Sequence, residues 1–300
     1  MNWLDAAAQL REQRRPGVLV TLVAVRGHAP RQAGAKMIVG VDQVWGSIGG
    51  GNLEATAVAA AREMIATGAT TPRTLDQDLS DHAETTYGRQ CCGGTTTVLL
   101  DPLPVVGSVA IFGVGHVGQE IARILARHEL DLHLIDAREE YATPAAIPEL
   151  ANGSATVHWH HTPWPEPLLR ELPPGTLVLV MTHDHGEDAA IVDAALRCSH
   201  LPFVGLIGSS AKWRRIERVL REWGHDEATT ARVTTPIGDP RITGKDPATL
   251  ALSVCVDLIQ RLSGGDLRDP LTTGAAGSAR SAGSAGSAGS AGSARGEARP

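Results

Sequence analysis

The residues best suited to chemistry in this chain are two adjacent sulfurs. Cys91 and Cys92 are followed by Gly93 and Gly94 and preceded at a short distance by Arg89. A cysteine with two glycines after it has no bulky neighbour on that side, so a ligand can reach its sulfur. The nearby arginine favours the thiolate, the form that attacks electrophiles and binds soft metals. For any free cysteine the opposite reading, a small inert packing residue, is open on composition alone. A disulfide between sequence neighbours would be strained and is not expected. Cys198 and Cys255 fall on the apolar sides of predicted helices and read as packing residues.

A second class of residue suits anions. Residues 26–36, RGHAPRQAGAK, carry Arg26, Arg31, Lys36 and His28 and no acid. The loop reads either as a solvated hairpin connection or as a small electropositive mouth for an anionic ligand. Residues 46–55, GSIGGGNLEA, place Gly49, Gly50 and Gly51 before Asn52, a good N-cap for a helix running to about residue 67. A glycine turn feeding a helix N-terminus can bind an anion, or can be no more than a tight strand-to-helix turn. Glu54, in the first helical turn, is expected to answer the helix dipole.

A third group is a fingerprint. Residues 108–118, SVAIFGVGHVG, read as a short apolar strand, a glycine turn and the start of an amphipathic helix. G-x-G-x-x-G falls at Gly113, Gly115 and Gly118, with His116 inside it. The first glycine permits the tight turn, the second lets a ligand approach the backbone, and the third lets helix pack on strand. A second apolar strand, 132–135, ends at Asp136, the spacing of an acid that reads a ribose hydroxyl. This is a Rossmann-type unit, and a bound NAD(P) is one use of it.

Two further loops fall where predicted strands end. Residues 182–188, THDHGED, offer His183, Asp184, His185 and Asp188 either as a metal cluster or as an Asp–His pair capping a helix. Residues 205–215, GLIGSSAKWRR, make another strand–glycine–helix turn, with Gly208 and Lys212 in it. That helix carries Lys212, Arg214, Arg215, Arg218 and Arg221 opposite an apolar stripe of Trp213, Ile216, Leu220 and Trp223. Its basic side reads as a solvated face or a protein docking surface. His158, His160 and His161 read as the exposed face of a strand.

The elements that must position these residues divide the chain in three. A helix over 2–14 capped by Asn2, strands over 18–25, 35–40 and 44–48, the helix from Asn52, an acidic edge strand over 74–79 and a strand over 95–100 make a small N-terminal α/β domain, residues 1–103. From 104 to 266, strands at 109–112, 132–135, 154–160, 176–181, 203–207 and near Val233 alternate with helices. That order predicts a doubly wound parallel sheet, whose ligands gather at strand carboxyl ends. Residues 267–300, largely SAG repeats, cannot bury enough surface to offset their ordering entropy and are expected to be a disordered tail.

Composition narrows the partners. A hydrophobic content of 42% supports two cores, and an aromatic share of 3% makes them aliphatic. The net charge of −6 gives no general reason to expect nucleic acid or a membrane surface. No apolar run approaches the ~18 residues of a membrane span, and the N-terminus does not read as a signal peptide. Four cysteines without a disulfide framework fit a reducing cytoplasm.

Taken in order, seven segments resemble one family. They are residues 26–37 (RGHAPRQAGAKM), 46–54 (GSIGGGNLE), 92–94 (CGG), 112–118 (FGVGHVG), 181–185 (MTHDH), 204–212 (VGLIGSSAK) and 235–254 (TPIGDPRITGKDPATLALSV). The pattern is similar to that of the XdhC/CoxI accessory proteins of molybdenum hydroxylases such as xanthine dehydrogenase. The resemblance implies a cytoplasmic, homodimeric chaperone, rather than an enzyme, that binds molybdenum cofactor. It implies protection of the cofactor while a cysteine desulfurase installs the terminal sulfido ligand, then delivery to the apo-enzyme. It also implies that Cys92 is the cofactor-binding cysteine and the contact to molybdenum. Cys91 departs from the family pattern, so either thiol can act, and Thr235 stands where a cysteine or similar is often found. On that reading the phosphate takes the 49–51 turn and the loop from Arg26 to Lys36. The rivals are an NAD(P)-dependent oxidoreductase using residues 113–118 and Asp136, with His183 or His185 moving a proton, and a dinucleotide-sensing or scaffolding protein.

Overall fold

The computed structural model describes residues 1–79 and 93–263. The expected tail and the site candidates Arg89, Cys91 and Cys92 lie outside the described residues. Asn2 accepts from the backbone N–H groups of Leu4 and Asp5 at 2.8 and 2.9 Å, and Asp5 completes the capping box that starts α1 (Trp3–Glu12). Then come β1 (Gly17–Arg26), β2 (Lys36–Gly40), β3 (Val44–Gly46), α2 (Gly51–Ala66), β4 (Arg73–Asp78) and β5 (Thr95–Leu103). The five strands form an antiparallel sheet in the order β3-β2-β1-β5-β4. Alternation gives it one aliphatic face. Val18, Val20 and Leu22, Met37 and Val39, and Val98 and Leu100 pack on Leu53, Ala57, Ala61 and Met64 of α2. On the other face Ile38 packs against Ala6 and Leu10 of α1.

The rest of the described chain is β6 (Gly107–Phe112), α3 (His116–Leu125), β7 (Leu130–Asp136), β8 (Thr156–His161), β9 (Leu177–Val180), α4 (His185–Leu196), β10 (Phe203–Leu206), α5 (Ser210–Glu222), α6 (Glu227–Thr230), β11 (Val233–Thr234) and α7 (Pro247–Leu262). All pairs in this second sheet are parallel, and its order is β11-β10-β9-β6-β7-β8. Every residue of β7 is buried, as a parallel strand covered on both faces requires. One face, with Val109, Ile111 and Leu134, packs on Ile121 and Leu125 of α3 and Val254 and Leu258 of α7. The other, with Phe112, Val180 and Leu206, packs on Ile191 of α4 and Ile216 and Leu220 of α5. This is the doubly wound sheet that the sequence predicts. Strand order reverses between β6 and β9, so their carboxyl ends frame the crevice where such folds take ligands.

Several local expectations change. The N-cap of α2 is Gly50, at φ 76, and Asn52 lies buried inside the helix. The crossover from β7 to β8, by contrast, is the proline-broken segment that the sequence suggests: three short 3-10 turns, two of them opened by Pro144 and Pro148. His158 and His160 are not an exposed row. They stand beside buried His133, whose ring centroid is 4.5 Å from that of His158 and 5.4 Å from that of His160. Burial first, then His158, His160 and Arg14, pushes the His133 imidazole down to about 3. The two sheets are tied at this edge: Arg14 pairs with Asp131 and donates to the Val106 carbonyl at 2.8 Å, and Arg11 pairs with Glu129 at 2.8 Å. Among the described residues, no helix is long and apolar enough to cross a membrane.

Candidate functional site

Three loops singled out in the sequence meet at one end of the antiparallel sheet, where β1 and β5 finish pairing at Arg26 and Thr95. Gly94 passes against the backbone of the loop that leaves β1. A Cβ there would stand 2.6 Å from the Arg26 carbonyl oxygen and closer still to that of His28. Only glycine allows two backbones to approach so closely. Gly93, at φ 70, takes the left-handed conformation and donates to the Leu79 carbonyl at 3.0 Å. Leu79 in turn donates to the Gly94 carbonyl at 2.7 Å, which extends the β4–β5 ladder up to the residue that follows Cys92. From the other side Gly49 packs on Pro30, with no room for a Cβ within 2.6 Å of the proline Cγ, and Arg31 reaches the Ser47 carbonyl at 3.5 Å.

The turn at Gly49, Gly50 and Gly51 supplies room more than donors, which corrects its reading as a phosphate nest. Glu54 Oε2 accepts from Ser47 Oγ at 2.6 Å, from the Gly50 N–H at 3.0 Å and from the Ile48 N–H at 3.2 Å. Ser47 Oγ accepts from the Gly49 N–H at 3.1 Å. Glu54, in the first turn of α2 as expected, therefore also holds the turn, and its charge opposes a phosphate at those amides. Gly50 and Gly51 have nothing within 4 Å of where a Cβ would stand. Lys36 is also corrected. Met37 takes the core side of β2, so the strand period sends Lys36 to the opposite face. There its ammonium lies 5.8 Å from the Trp3 ring and 3.3 Å from Thr21 Oγ1, away from the loop mouth.

At the switch point the fingerprint glycines have separate steric reasons. A Cβ on Gly113, at φ 101, would meet the Met181 carbonyl at 2.5 Å, and one on Gly118 would strike the Gly113 carbonyl. Gly115, the N-cap of α3 just before His116, faces open space and receives no side-chain cap. Asp136, however, is closed. Its Oδ1 accepts from the backbone N–H and Nε of Arg138, both at 2.9 Å. Its Oδ2 accepts from Val114 N–H at 2.8 Å and a second guanidinium nitrogen of Arg138 at 2.9 Å. A carboxylate has four acceptor sites, and all are taken. Burial alone would push this carboxyl up, but the bonds from Arg138 and Val114 outweigh it and hold it below the usual range. The expected ribose-reading acid is a structural staple.

The loops after β9 and β10 are tied to each other. Asp188, wholly buried, accepts from the Thr182 N–H and Oγ1, both at 2.9 Å, and pairs with Lys212. Lys212 Nζ also donates to the Ile207 carbonyl at 3.1 Å, and its stem crosses Gly208, where a Cβ would stand 2.6 Å from Cδ. Lys212 thus leaves the basic surface it was expected to join. Asp184 caps α4 through the N–H groups of Gly186 and Glu187, at 2.7 and 2.9 Å. With both acids engaged, the metal reading fails: among the described residues no three His, Cys, Asp or Glu side chains are arranged to hold an ion. His183 and His185 instead line a cavity of about 650 Å³ with Arg215 and Trp223. Cys198 and Cys255 are buried as expected, and burial pushes the Cys255 thiol up to about 12.

Sequence reasoning missed the partners: Arg138, Lys212 as the mate of Asp188, and His133. One signal was available. An acid followed two residues later by arginine recurs at Asp239 and Arg241, in the loop between β11 and α7, where Arg241 again returns its backbone N–H and guanidinium to the carboxylate.

Residues 10–76 match the XdhC and CoxI family, and residues 109–258 match the XdhC Rossmann domain. The protein YqeB of Escherichia coli (strain K12), described as uncharacterized, is 27% identical over 261 residues. That match covers 87% of this chain and 46% of YqeB, so the chain spans about half the length of this relative. A crystal structure described as a xanthine dehydrogenase from Bacillus halodurans is 20% identical, over 91% of this chain and 99% of that one, with a TM-score of 0.45. Malate dehydrogenase from Cryptosporidium parvum is 17% identical over 39% of this chain and 42% of its own, with a TM-score of 0.30. With one family match over half its length and a second over most of the N-terminal sheet, the chain belongs to the XdhC and CoxI family.

Proposed function

We propose that this chain is a molybdenum cofactor chaperone, working in the cytoplasm for a xanthine dehydrogenase-type enzyme. The observation that carries the reading is the convergence of the loop after β1, the 49–51 turn and Gly93–Gly94 at one sheet end, next in sequence to Cys92. The residues there fit the cargo. A thiolate is the soft donor that a sulfur-bound molybdenum accepts, and Cys92, with Cys91 beside it, supplies one. Arg26 and Arg31 are the cations left for the pterin phosphate once Lys36 is placed on the other face. Gly50, Gly51 and Gly93 leave space that any side chain would fill. The chain's part is to hold the cargo and shield its metal from water and thiols while a cysteine desulfurase completes it. A second copy of the chain belongs to the same proposal.

The saturated carboxylate of Asp136 weighs against a nicotinamide cofactor at the other glycine turn. The reading is tested by purifying the full chain from cells that make the cofactor, denaturing it by heat, oxidising the extract and measuring pterin fluorescence. Fluorescence above that of an unrelated protein is expected. Its absence, together with NAD(H) binding in a titration, would contradict the proposal.

A further inference from the structure

α5 and the start of α4 present a surface that the proposed cargo site does not use. Ile216 and Leu220 bury one side of α5 in the second core, which turns Arg214, Arg215, Arg218 and Arg221 outward. Arg221 is paired with Glu217 at 2.8 Å; among the described residues Arg214, Arg215 and Arg218 have no ion-pair partner. This concentration of unpaired cations sits on a chain whose net charge is −6. At the end of the helix the Trp223 side chain is 46% exposed and forms one wall of the 650 Å³ cavity. Ile216, Val219 and Ala189 give that cavity an apolar floor, and His183, His185 and Arg215 lie at its polar edge.

We infer that this face docks an acidic segment of the client enzyme, with an apolar side chain seated in the cavity between α4 and α5. An aromatic and arginines around an apolar pocket are the composition of an interface hot spot, and a cationic rim steers an acidic partner. A compact anion fits less well. The Asp184 carboxylate lines the same cavity and already takes the first amides of α4, while the outward arginines extend over about 10 Å of helix beyond it. The identity of the client rests on the chaperone reading; the chemistry of the surface does not.

The test titrates cofactor-free xanthine dehydrogenase-type enzyme with the full chain at low and high salt, using wild type, R214E/R215E/R218E and W223A. Pterin content is measured on the same preparations. Charge reversal should weaken binding about tenfold or more, with a smaller loss for W223A, steep salt dependence for wild type and unchanged pterin content. If circular dichroism shows the triple variant misfolded, R215Q/R218Q should weaken binding in the same direction. A folded charge-reversed chain that binds like wild type overturns the inference. So does a wild-type chain that carries pterin but does not bind the enzyme. Loss of inorganic phosphate binding with enzyme binding intact also overturns it, making the face a small-anion site. Salt-sensitive docking by a chain without pterin would instead refute the chaperone reading and leave the surface standing.

Discussion

At the end of the antiparallel sheet, Gly94 lets a strand pass against the loop at Arg26 and His28; at the switch point, Gly113 does the same against Met181 and Thr182. Both corners use glycine because another backbone occupies the place of a Cβ. They part company in what they leave available. The switch point carries the better-known fingerprint, yet its acid is consumed by Arg138 and Val114, and the acids of the neighbouring loop by Lys212 and the α4 cap. The first corner keeps Arg26 and Arg31 and open space at Gly50, Gly51 and Gly93, beside a cysteine pair in sequence. A motif marks where a ligand can come. Whether its polar groups are free decides whether one does.

The largest effect is expected at Gly94. Gly94→Val should cost about 3 kcal/mol or more in a denaturant melt, because the atoms in the way are backbone. Gly115→Ala, at φ −73 in open space, should stay within about 0.5 kcal/mol. Next comes Asp136→Asn, which leaves Arg138 without its charge partner and should cost about 2 kcal/mol. Because the folded carboxyl is held below its usual range, its stabilisation is present above that range and is lost as pH falls through the folded value. The variant should therefore show a flatter acid limb, with any NAD(H) affinity unchanged, whereas a ribose-reading acid would lose affinity. The mildest effect is at His133, kept neutral in the fold. Its folded value of about 3 against 6.5 means that stability is whole above about 6.5 and declines as pH falls toward 3. His133→Leu should remove part of that decline in melts at successive pH values and change little at neutral pH.

Much of the fold is legible because burial has a period. Helix α7 runs from Pro247 to Leu262, with Asp246 capping, proline in the first turn and Ala251, Val254 and Leu258 buried along one side. The alternation in β1 and β2 and the uninterrupted apolar run of β7 announce the two kinds of sheet. What was hidden is pairing. Spacing puts Asp136 at a strand end but does not say that Arg138 will fold back on it. A run of cations reads as one loop until β2 begins inside it and turns Lys36 away. Gly94 meeting His28 is a tertiary contact with no local signal.

The most direct measurement compares the two corners in one assay: pterin released from full-length chain carrying Cys91→Ala with Cys92→Ala, or carrying Gly115→Val, against wild type. The double cysteine variant should fall to background while Gly115→Val, which fills only the switch-point turn, keeps the wild-type content. A cysteine variant that retains pterin, with Gly115→Val losing it, would contradict the assignment of the cargo to the first corner.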